Sequence, residues 1–265
     1  MLIEHGVLRF DQSKGNFESL RDVIAIEEVT RLYINDGLYA VFHHLPSQVK
    51  ELIVGYLLTE GLIERIEDIL EMKFSGMDAH VRLSEDKYLG VSDRIRLITV
   101  LCSGKIAPLN ISKSAQKLRF NDIKFSANVI FKSIEILNSR ASIFRASGGT
   151  HSAALINGDC EIMAFAEDIG RHNAIDKVVG EATIKGANLS ELILASTGRL
   201  TSEVVIKVVR VGIPVLVSPS APTSMGLKIA ESSNLTLIGF VRKKRFNIYT
   251  SPHRINEWVQ LNKTL

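Results

Sequence analysis

Apolar and polar residues alternate through the first part of the chain in short runs that are typical of β-strands. Two such runs, 26–36 and 37–44, meet at Asn35–Gly37, an Asn-Asp-Gly sequence that is a strong signal for a hairpin turn. Residues 45–63 show helical spacing instead, with a proline near the start and a glycine near the end. Further strands are predicted over 69–74, 79–83 and 94–101.

After Ser114 the pattern changes to an alternation of strands and helices. Helices are predicted over 125–140, 172–186, 201–212 and 223–232, and strands over 151–157, 160–166, 189–197, 213–218 and 235–242. This order implies crossover connections and a sheet with helices on its faces. A polar stretch within 105–125 separates the two parts. We therefore expect a small α+β domain over 1–115 and an α/β domain over 116–265.

Composition and charge narrow the class of protein. With 265 residues, 46% hydrophobic and 23% charged, the chain is typical of globular proteins. Its net charge of +3 is too weak to make the whole molecule a polyanion binder, so nucleic acid is not an expected partner. No apolar stretch reaches the roughly 18–20 residues of a membrane span, and residues 1–20 lack a signal-peptide pattern. We expect a soluble cytoplasmic protein with reduced thiols.

Four polar stretches fall at junctions between predicted strands and helices, where ligand sites of α/β sheets gather. They read "ASGGTHSAAL", "EDIGRHNAIDK", "STGRLTSE" and "SPSAPTSMG". Each also has a purely structural interpretation, as a glycine turn, a helix cap or a proline turn. Their occurrence together in one domain favours a polar pocket. Its candidate residues are His151, Asp168, Arg171, His172, Thr197 and Arg199.

A dense basic run, "GFVRKKRFNIYT", follows the last predicted central strand. Arg242, Lys243, Lys244 and Arg245 lie between two phenylalanines, which offers charge for phosphates and flat faces for a base. A solvated hairpin turn is the alternative interpretation. Four cations are enough for a diphosphate but too few for a nucleic-acid surface.

The sequence motifs that several enzyme classes require are absent from this chain. A zinc deaminase needs H-x-E and P-C-x-x-C, but His151 is followed by Ser152 and Ala153, and no C-x-x-C occurs. No metal site is therefore expected. There is no G-x-S-x-G elbow of a serine hydrolase and no Walker A loop. What remains is the pocket and two cysteines. Of these, Cys102 stands where the apolar run "LITVL" ends, and Cys160 has the context of a structural residue.

Taken in order, "LLTEGLI", "ASGGTHSAAL", "EDIGRHNAIDKVVG", "STGRLTSEVVIKV", "GIPVLVSPSAPTSMGLKIAE" and "GFVRKKRFNIYT" resemble the FdhD family, the formate dehydrogenase accessory sulfurtransferases. The resemblance runs from about residue 20 to about residue 250. It implies a small N-terminal domain and a cytidine-deaminase-like α/β domain whose zinc site is lost. The implied activity is that of a carrier-type sulfurtransferase in molybdenum cofactor biosynthesis. Sulfur passes from a cysteine desulfurase, through a cysteine persulfide, to the bis-molybdopterin guanine dinucleotide form of the molybdenum cofactor, before this cofactor enters formate dehydrogenase.

The resemblance also assigns residues. The family loop usually reads C-G-x-C-G, and "CSGKI" places Cys102 at its first cysteine and Lys105 at its second. The residue three before Cys102 is Thr99, so this chain departs from the two-cysteine pattern, which leaves single-cysteine transfer with Cys102 as the carrier. The resemblance also implies that the cofactor is contacted by a run of six residues, namely Phe240, Val241, Arg242, Lys243, Lys244 and Arg245.

We also expect a homodimer and keep one alternative function open. A symmetric homodimer would meet the two guanosine arms of the cofactor. The alternative function is a molybdenum-cofactor-binding chaperone in which Cys102 carries no sulfur. The two functions share every pocket residue and differ only at Cys102.

Overall fold

The computed structural model describes residues 1–84, 96–98 and 123–263, the short central range by its backbone. The strands form a two-stranded ribbon, a five-stranded sheet and a six-stranded sheet. Their bounds are β1 Leu2–Asp11, β2 Asn16–Ala25, β3 Glu28–Ile34, β4 Gly37–His44, β5 Ile69–Ser75, β6 Asp78–Leu83, β7 Arg96–Ile98, β8 His151–Ile156, β9 Ile162–Asp168, β10 Ile193–Ser196, β11 Val215–Val217, β12 Thr236–Arg242 and β13 Arg245–Thr250.

Seven α-helices accompany these strands in the described part of the chain. Their bounds are α1 Val49–Thr59, α2 Ala127–Arg140, α3 Ser142–Ser147, α4 Arg171–Ile184, α5 Ser202–Arg210, α6 Ser224–Ser232 and α7 Asn256–Lys263. Among them, α3 and α7 have no counterpart in the sequence-based prediction. The mixed α/β class is confirmed, and the predicted boundary at 115/116 falls outside the described residues.

The five-stranded sheet has the order β5-β6-β3-β4-β7. The predicted hairpin is confirmed as β3 paired antiparallel with β4. Its turn residues Asn35 and Asp36 have φ angles of 45° and 67°, the left-handed conformation that a tight hairpin turn requires. The helix predicted over 45–63 spans Val49–Thr59. Gly61, at φ 71°, follows its end as predicted, but the helix starts later than Pro46 and Ser47 suggest, because Gln48 before it has the left-handed φ of 52°.

The six-stranded sheet has the order β13-β12-β11-β10-β8-β9. Strands β10, β11 and β12 are parallel, while β8, β9 and β13 pair antiparallel with their neighbours. The strand predicted over 189–197 was wrong in its first part. Residues Leu189–Glu191 form a 3-10 turn, because the Asn188 side chain accepts a hydrogen bond from the Ser190 backbone N–H.

The two larger sheets share one hydrophobic core, which includes Leu32 from the first sheet and Leu194 from the second. Helix α1 crosses α4 at two glycines that allow the backbones to touch. A Cβ added at Gly55 would lie 1.7 Å from the carbonyl oxygen of Asp176, and one added at Gly180 would lie 1.9 Å from that of Glu51. The crossing therefore tolerates no side chain at either position.

Candidate functional site

The predicted pocket residues lie along one edge of the six-stranded sheet. His151 begins β8 and pairs in register with Asp168, which ends β9. Arg171 opens helix α4 shortly after, and Thr197 follows the last residue of β10. Because the parallel strands β10, β11 and β12 all end at this edge, the loops after them meet there, as expected for an α/β sheet.

Hydrogen bonds join these loops side by side. The Thr197 hydroxyl oxygen accepts the Ser152 backbone N–H at 3.1 Å and lies 3.2 Å from His151 Nδ1. On the other side, the Ser220 hydroxyl donates to the Thr197 carbonyl oxygen at 3.1 Å, and the Ser218 hydroxyl donates to that of Gly198 at 2.8 Å. The edge from β8 to β11 is thus one connected polar surface.

A cavity of about 370 Å³ opens at this edge. His151 and Thr197 line it together with Phe144 and the glycines Gly148 and Gly149. Burial lowers the pKa of His151, and the positive charge of Arg171 lowers it further. At neutral pH the imidazole is therefore uncharged and has one nitrogen that donates and one that accepts.

Arg171 lies across the loop that follows β10. A Cβ added at Gly198 would be 2.6 Å from Cδ of Arg171, so the absence of a side chain at Gly198 allows the arginine to pass. Arg199, the next residue in the loop, is exposed. Arg171 opens α4 and Arg199 lies in the loop before α5, so each stands near the N-terminus of a helix, a position that favours an anionic ligand.

His172 is turned away from solvent, between α4 and α5. Its Nε2 lies 3.4 Å from a carboxylate oxygen of Glu203. Burial lowers its pKa to about 3, and the charges of Lys207 and Arg171 act in the same direction. His172 is therefore neutral and contributes no charge to anion binding.

Behind His172, Lys207 pairs with two carboxylates where α1, α4 and α5 meet. Its ammonium lies 2.9 Å from Asp176 and 3.1 Å from Glu60. Burial opposes the charged form of Lys207, but the carboxylates of Asp176 and Glu60 outweigh it and raise the pKa of the lysine. Burial also raises the pKa of Asp176 to about 6. The cluster joins α4 and α5 to the end of α1.

Asp168 differs from the other predicted pocket residues, because its carboxylate is fully buried. It forms an ion pair with Lys177 at 2.7 Å. It also accepts the backbone N–H groups of Leu45 at 3.1 Å and Gly170 at 2.9 Å, and the side-chain amide of Asn173 at 3.0 Å. Since Leu45 directly follows β4, these contacts join the two halves of the chain.

Sequence reasoning missed the partners of Asp168. Lys177 and Asn173 stand one helical turn apart on α4, and Lys177 also donates to the Leu45 carbonyl oxygen at 3.0 Å. The spacing of Asp168, Asn173 and Lys177 along the chain shows only that they are near one another. The contact with Leu45 spans more than a hundred residues, and no local pattern marks it.

The predicted basic run forms the turn between β12 and β13, with Lys243 and Lys244 at its tip. Phe240 is 39% exposed and has a φ angle of 51°, where the β12–β13 pairing shifts register. Its backbone N–H donates to the Ser220 carbonyl oxygen at 3.1 Å, and Arg242 donates to that of Pro219 at 2.6 Å. The hairpin is thus anchored to the loop that also contacts Thr197.

Within this hairpin the six predicted residues divide into two groups. Val241 is buried in a second core cluster, which helix α2 and the six-stranded sheet form between them. The other five are exposed, namely Phe240, Arg242, Lys243, Lys244 and Arg245. The exposed residues place cations and one aromatic ring at the same sheet edge as the cavity.

Of the two cysteines, only Cys160 lies within the described residues. Cys102, with its neighbours Ser103 and Lys105, lies outside the described residues. Cys160 sits in the turn between β8 and β9, at a φ angle of 66°, and packs against the second core cluster. Its surroundings agree with the structural role expected from the sequence.

The described residues contain neither a metal-ligand cluster nor a membrane-spanning helix. No group of three or more His, Cys, Asp or Glu side chains there is arranged to hold a metal ion. No helix in the described ranges is both long and apolar enough to cross a membrane.

Comparison with known proteins identifies the family of this chain. The profile of the FdhD/NarQ family matches residues 25–256. The chain belongs to this family.

Individual relatives match over nearly their full length. A protein named "Sulfur carrier protein FdhD" from Sulfolobus acidocaldarius is 36% identical, with 91% of this chain and 94% of that protein covered. A protein of the same name from Bacillus subtilis is 29% identical, with 95% and 96% covered. A crystal structure described as that of a candidate formate dehydrogenase accessory protein from Desulfotalea psychrophila is 26% identical, has a TM-score of 0.79, and covers 96% of this chain and 99% of its own.

Proposed function

We propose that this protein is a sulfur carrier in the maturation of formate dehydrogenase. The observation that carries the proposal is the match to proteins named as sulfur carriers over about nine-tenths of the chain or more. The connected polar edge of the six-stranded sheet supports it, since it offers a site for the molecule that receives the sulfur.

The proposed sulfur step uses Cys102 as the carrier. Its thiolate attacks the outer sulfur of a cysteine persulfide on a desulfurase, the S–S bond of that persulfide breaks, and the desulfurase cysteine leaves as a thiolate. The product is a persulfide on Cys102, with no net oxidation or reduction. In the second transfer the S–S bond of the Cys102 persulfide breaks, the Cys102 sulfur leaves as a thiolate, and the outer sulfur would pass to the molybdenum cofactor as sulfide. The two electrons that this reduction requires would come from a thiol reductant, which is oxidised to a disulfide. Since no other cysteine stands near Cys102 in the sequence, no disulfide between neighbouring cysteines competes with delivery.

The proposed client is the molybdenum cofactor in its bis-molybdopterin guanine dinucleotide form. The exposed cations of the basic hairpin suit its phosphates. Arg171 and Arg199 extend the positive charge, and His151 with Thr197 supplies neutral donors and acceptors inside the cavity. A homodimer would present one such site to each guanosine arm.

The strand order of the second sheet supports a cytidine-deaminase-like domain. A central run of three parallel strands, β10-β11-β12, is flanked by the antiparallel pair β8 and β9. We propose that this domain keeps the deaminase architecture for nucleotide binding and has lost the zinc ligands. The missing H-x-E and P-C-x-x-C patterns support the loss.

The carrier role predicts a mass change at one residue. After incubation of the protein with a cysteine desulfurase and cysteine, intact-protein mass spectrometry should show a gain of one sulfur that reduction removes. The Cys102→Ala variant should show no gain and should fail to restore formate dehydrogenase activity in cells that lack this protein. Cys160→Ala is the matched control and should behave like the unaltered chain.

The alternative function, a cofactor-binding chaperone, predicts the opposite result at Cys102. In that case Cys102→Ala would still restore formate dehydrogenase activity. An unaltered chain that gains no sulfur, while still binding guanine nucleotide, would also favour the chaperone.

Nucleotide binding by the basic β12–β13 hairpin gives a prediction that is independent of Cys102. Replacing Lys243 and Lys244 with alanine should weaken binding of guanosine diphosphate by about tenfold, since each exposed charge contributes up to about 1 kcal/mol. The affinity should also depend less on salt. Isothermal titration calorimetry measures both effects. The charge-matched control replaces Lys50 and Lys73, two exposed lysines of the first half of the chain, and equal losses in both variants would contradict a specific site.

A further inference from the structure

Arg254 is the largest side chain that is completely buried in the described part of the protein. It ends a short 3-10 turn, Pro252–Arg254, which follows strand β13. Its Nη1 donates to the carbonyl oxygen of Asn234 at 2.7 Å and to the hydroxyl oxygen of Thr236 at 3.3 Å. Both acceptors are uncharged, so these two hydrogen bonds leave the positive charge of the guanidinium without a counter-charge.

The other two nitrogens of the guanidinium, Nε and Nη2, are buried as well. Neither has a hydrogen-bond partner within the described residues. Together they form the side of the guanidinium on which two N–H groups point in parallel, which is the geometry that arginine uses to bind anions. Burial lowers the pKa of Arg254, and no carboxylate of residues 1–84 or 123–263 opposes this shift. Arg254 therefore presents a pair of parallel donors and an unneutralised charge in the protein interior.

A buried cation of this kind needs an anion beside it. Arginine remains protonated in proteins, because its pKa is far above neutral pH. Burial of an ion without an opposite charge is strongly unfavourable, and every buried N–H group that lacks an acceptor adds to this cost. Arginines in protein interiors are accordingly paired. The described chain supplies no such anion to Arg254, which points to an anion taken from solution.

The segment that Arg254 contacts offers further hydrogen-bond donors. The side-chain NH2 of Asn234 is buried and has no partner in the described ranges, and the Oδ1 of the same amide already accepts the Ser251 hydroxyl at 3.1 Å. The hydroxyl of Ser233 is likewise buried and unpartnered among the described residues. A buried water molecule must donate hydrogen bonds as well as accept them. An anion only accepts, so it suits a set of donors better than water does.

We propose that the Nε–H and Nη2–H groups of Arg254 bind one chloride ion inside the protein. Because the guanidinium is closed to solvent, a single small anion suits it, whereas a phosphate or a nucleotide is too large. The site lies beside the first residues of β12, at the opposite end of the sheet from the cavity near His151. An ion there also secures the start of α2, since the Arg254 carbonyl oxygen accepts the Phe125 backbone N–H at 2.9 Å. The inference does not depend on nucleotide binding or on sulfur transfer.

The first test locates the ion directly. Crystals of the full-length protein are grown with sodium bromide in place of chloride, because bromide binds where chloride does and scatters X-rays anomalously. The anomalous difference map should show a peak within hydrogen-bonding distance of both Nε and Nη2 of Arg254. Density at this position without an anomalous signal would identify water, and no density there would show that nothing is bound. Either of these two results would overturn the proposal.

The second test compares thermal unfolding in sodium chloride and in sodium gluconate at equal ionic strength. The midpoint of the unaltered chain should be about 4 °C higher in chloride, the shift expected when the ion is present at about ten times its Kd. Arg254→Met should lose this difference, whereas Arg140→Met, which alters an exposed arginine at the end of α2, should keep it.

The outcomes of this comparison are distinct from those of the earlier experiments. An unaltered chain that is equally stable in both salts, or a difference of the same size in Arg254→Met, would overturn the chloride site. If Arg254→Met does not fold, the bromide map of the unaltered chain decides alone. The sulfur-adduct experiment reads mass at Cys102, so failure of the carrier role and failure of the chloride site are separate results.

Discussion

Replacement of Gly180 by alanine should lower the free energy of unfolding by about 3 kcal/mol, because the new Cβ has no room at the crossing of α1 and α4. It would lie 1.9 Å from the backbone carbonyl oxygen of Glu51, so a whole helix must move. For a chain of this size the midpoint of thermal unfolding should fall by about 10 °C. Gly55→Ala, whose Cβ would lie 1.7 Å from the Asp176 carbonyl oxygen, should have a similar effect.

A matched substitution separates this clash from a general effect of replacing glycine. Gly158 lies in the turn between β8 and β9, with no heavy atom within 4 Å of an added Cβ. Gly158→Ala should therefore change the free energy of unfolding by less than about 0.5 kcal/mol. Urea unfolding followed by circular dichroism measures all three variants. Equal stability of Gly180→Ala and Gly158→Ala would show that the two helices do not approach as closely as described.

Breaking the ion pair of Asp168 with Lys177 should cost about 3–5 kcal/mol of unfolding free energy. Both side chains are completely buried and 2.7 Å apart, so Lys177→Met leaves a buried carboxylate without its cation. Burial already lowers the pKa of Lys177, and the attraction of Asp168 opposes this shift. The double variant Asp168→Asn, Lys177→Met should recover part of the loss, because no charge is then left uncompensated.

The control for this prediction is a more exposed pair at the C-terminal end of the same helix. Lys185 and Glu181 are 2.6 Å apart, but the Lys185 side chain is 56% exposed, so Lys185→Met should cost less than about 1 kcal/mol. Guanosine diphosphate binding is measured on the same variants. If Asp168→Asn kept its stability and lost nucleotide binding, Asp168 would be a ligand-binding residue and not the link between the two halves.

The site residues differ in how far sequence reasoning could locate them. The positions of His151, Arg171 and Thr197 at one sheet edge follow from alternating strands and helices, since such an order places strand ends together. The buried state of Asp168 and His172 does not follow, because polar residues at a helix start have the same pattern whether they face a ligand or the interior. Only the packing of α1 and α5 against α4 distinguishes the two.

The amino-acid sequence by itself determined the mixed α/β class, the Asn-Asp-Gly hairpin, most central strands and helices, and the position of the polar edge. These features depend on local periodicity and turn chemistry, which act over a few residues. The tertiary structure alone decided the glycine crossing at Gly55 and Gly180, the link from Asp168 to Leu45, and the burial of Arg254 without a counter-charge from the described residues. Each of these depends on contacts, or on their absence, between segments far apart in the chain, where spacing along the sequence carries no information about distance in space.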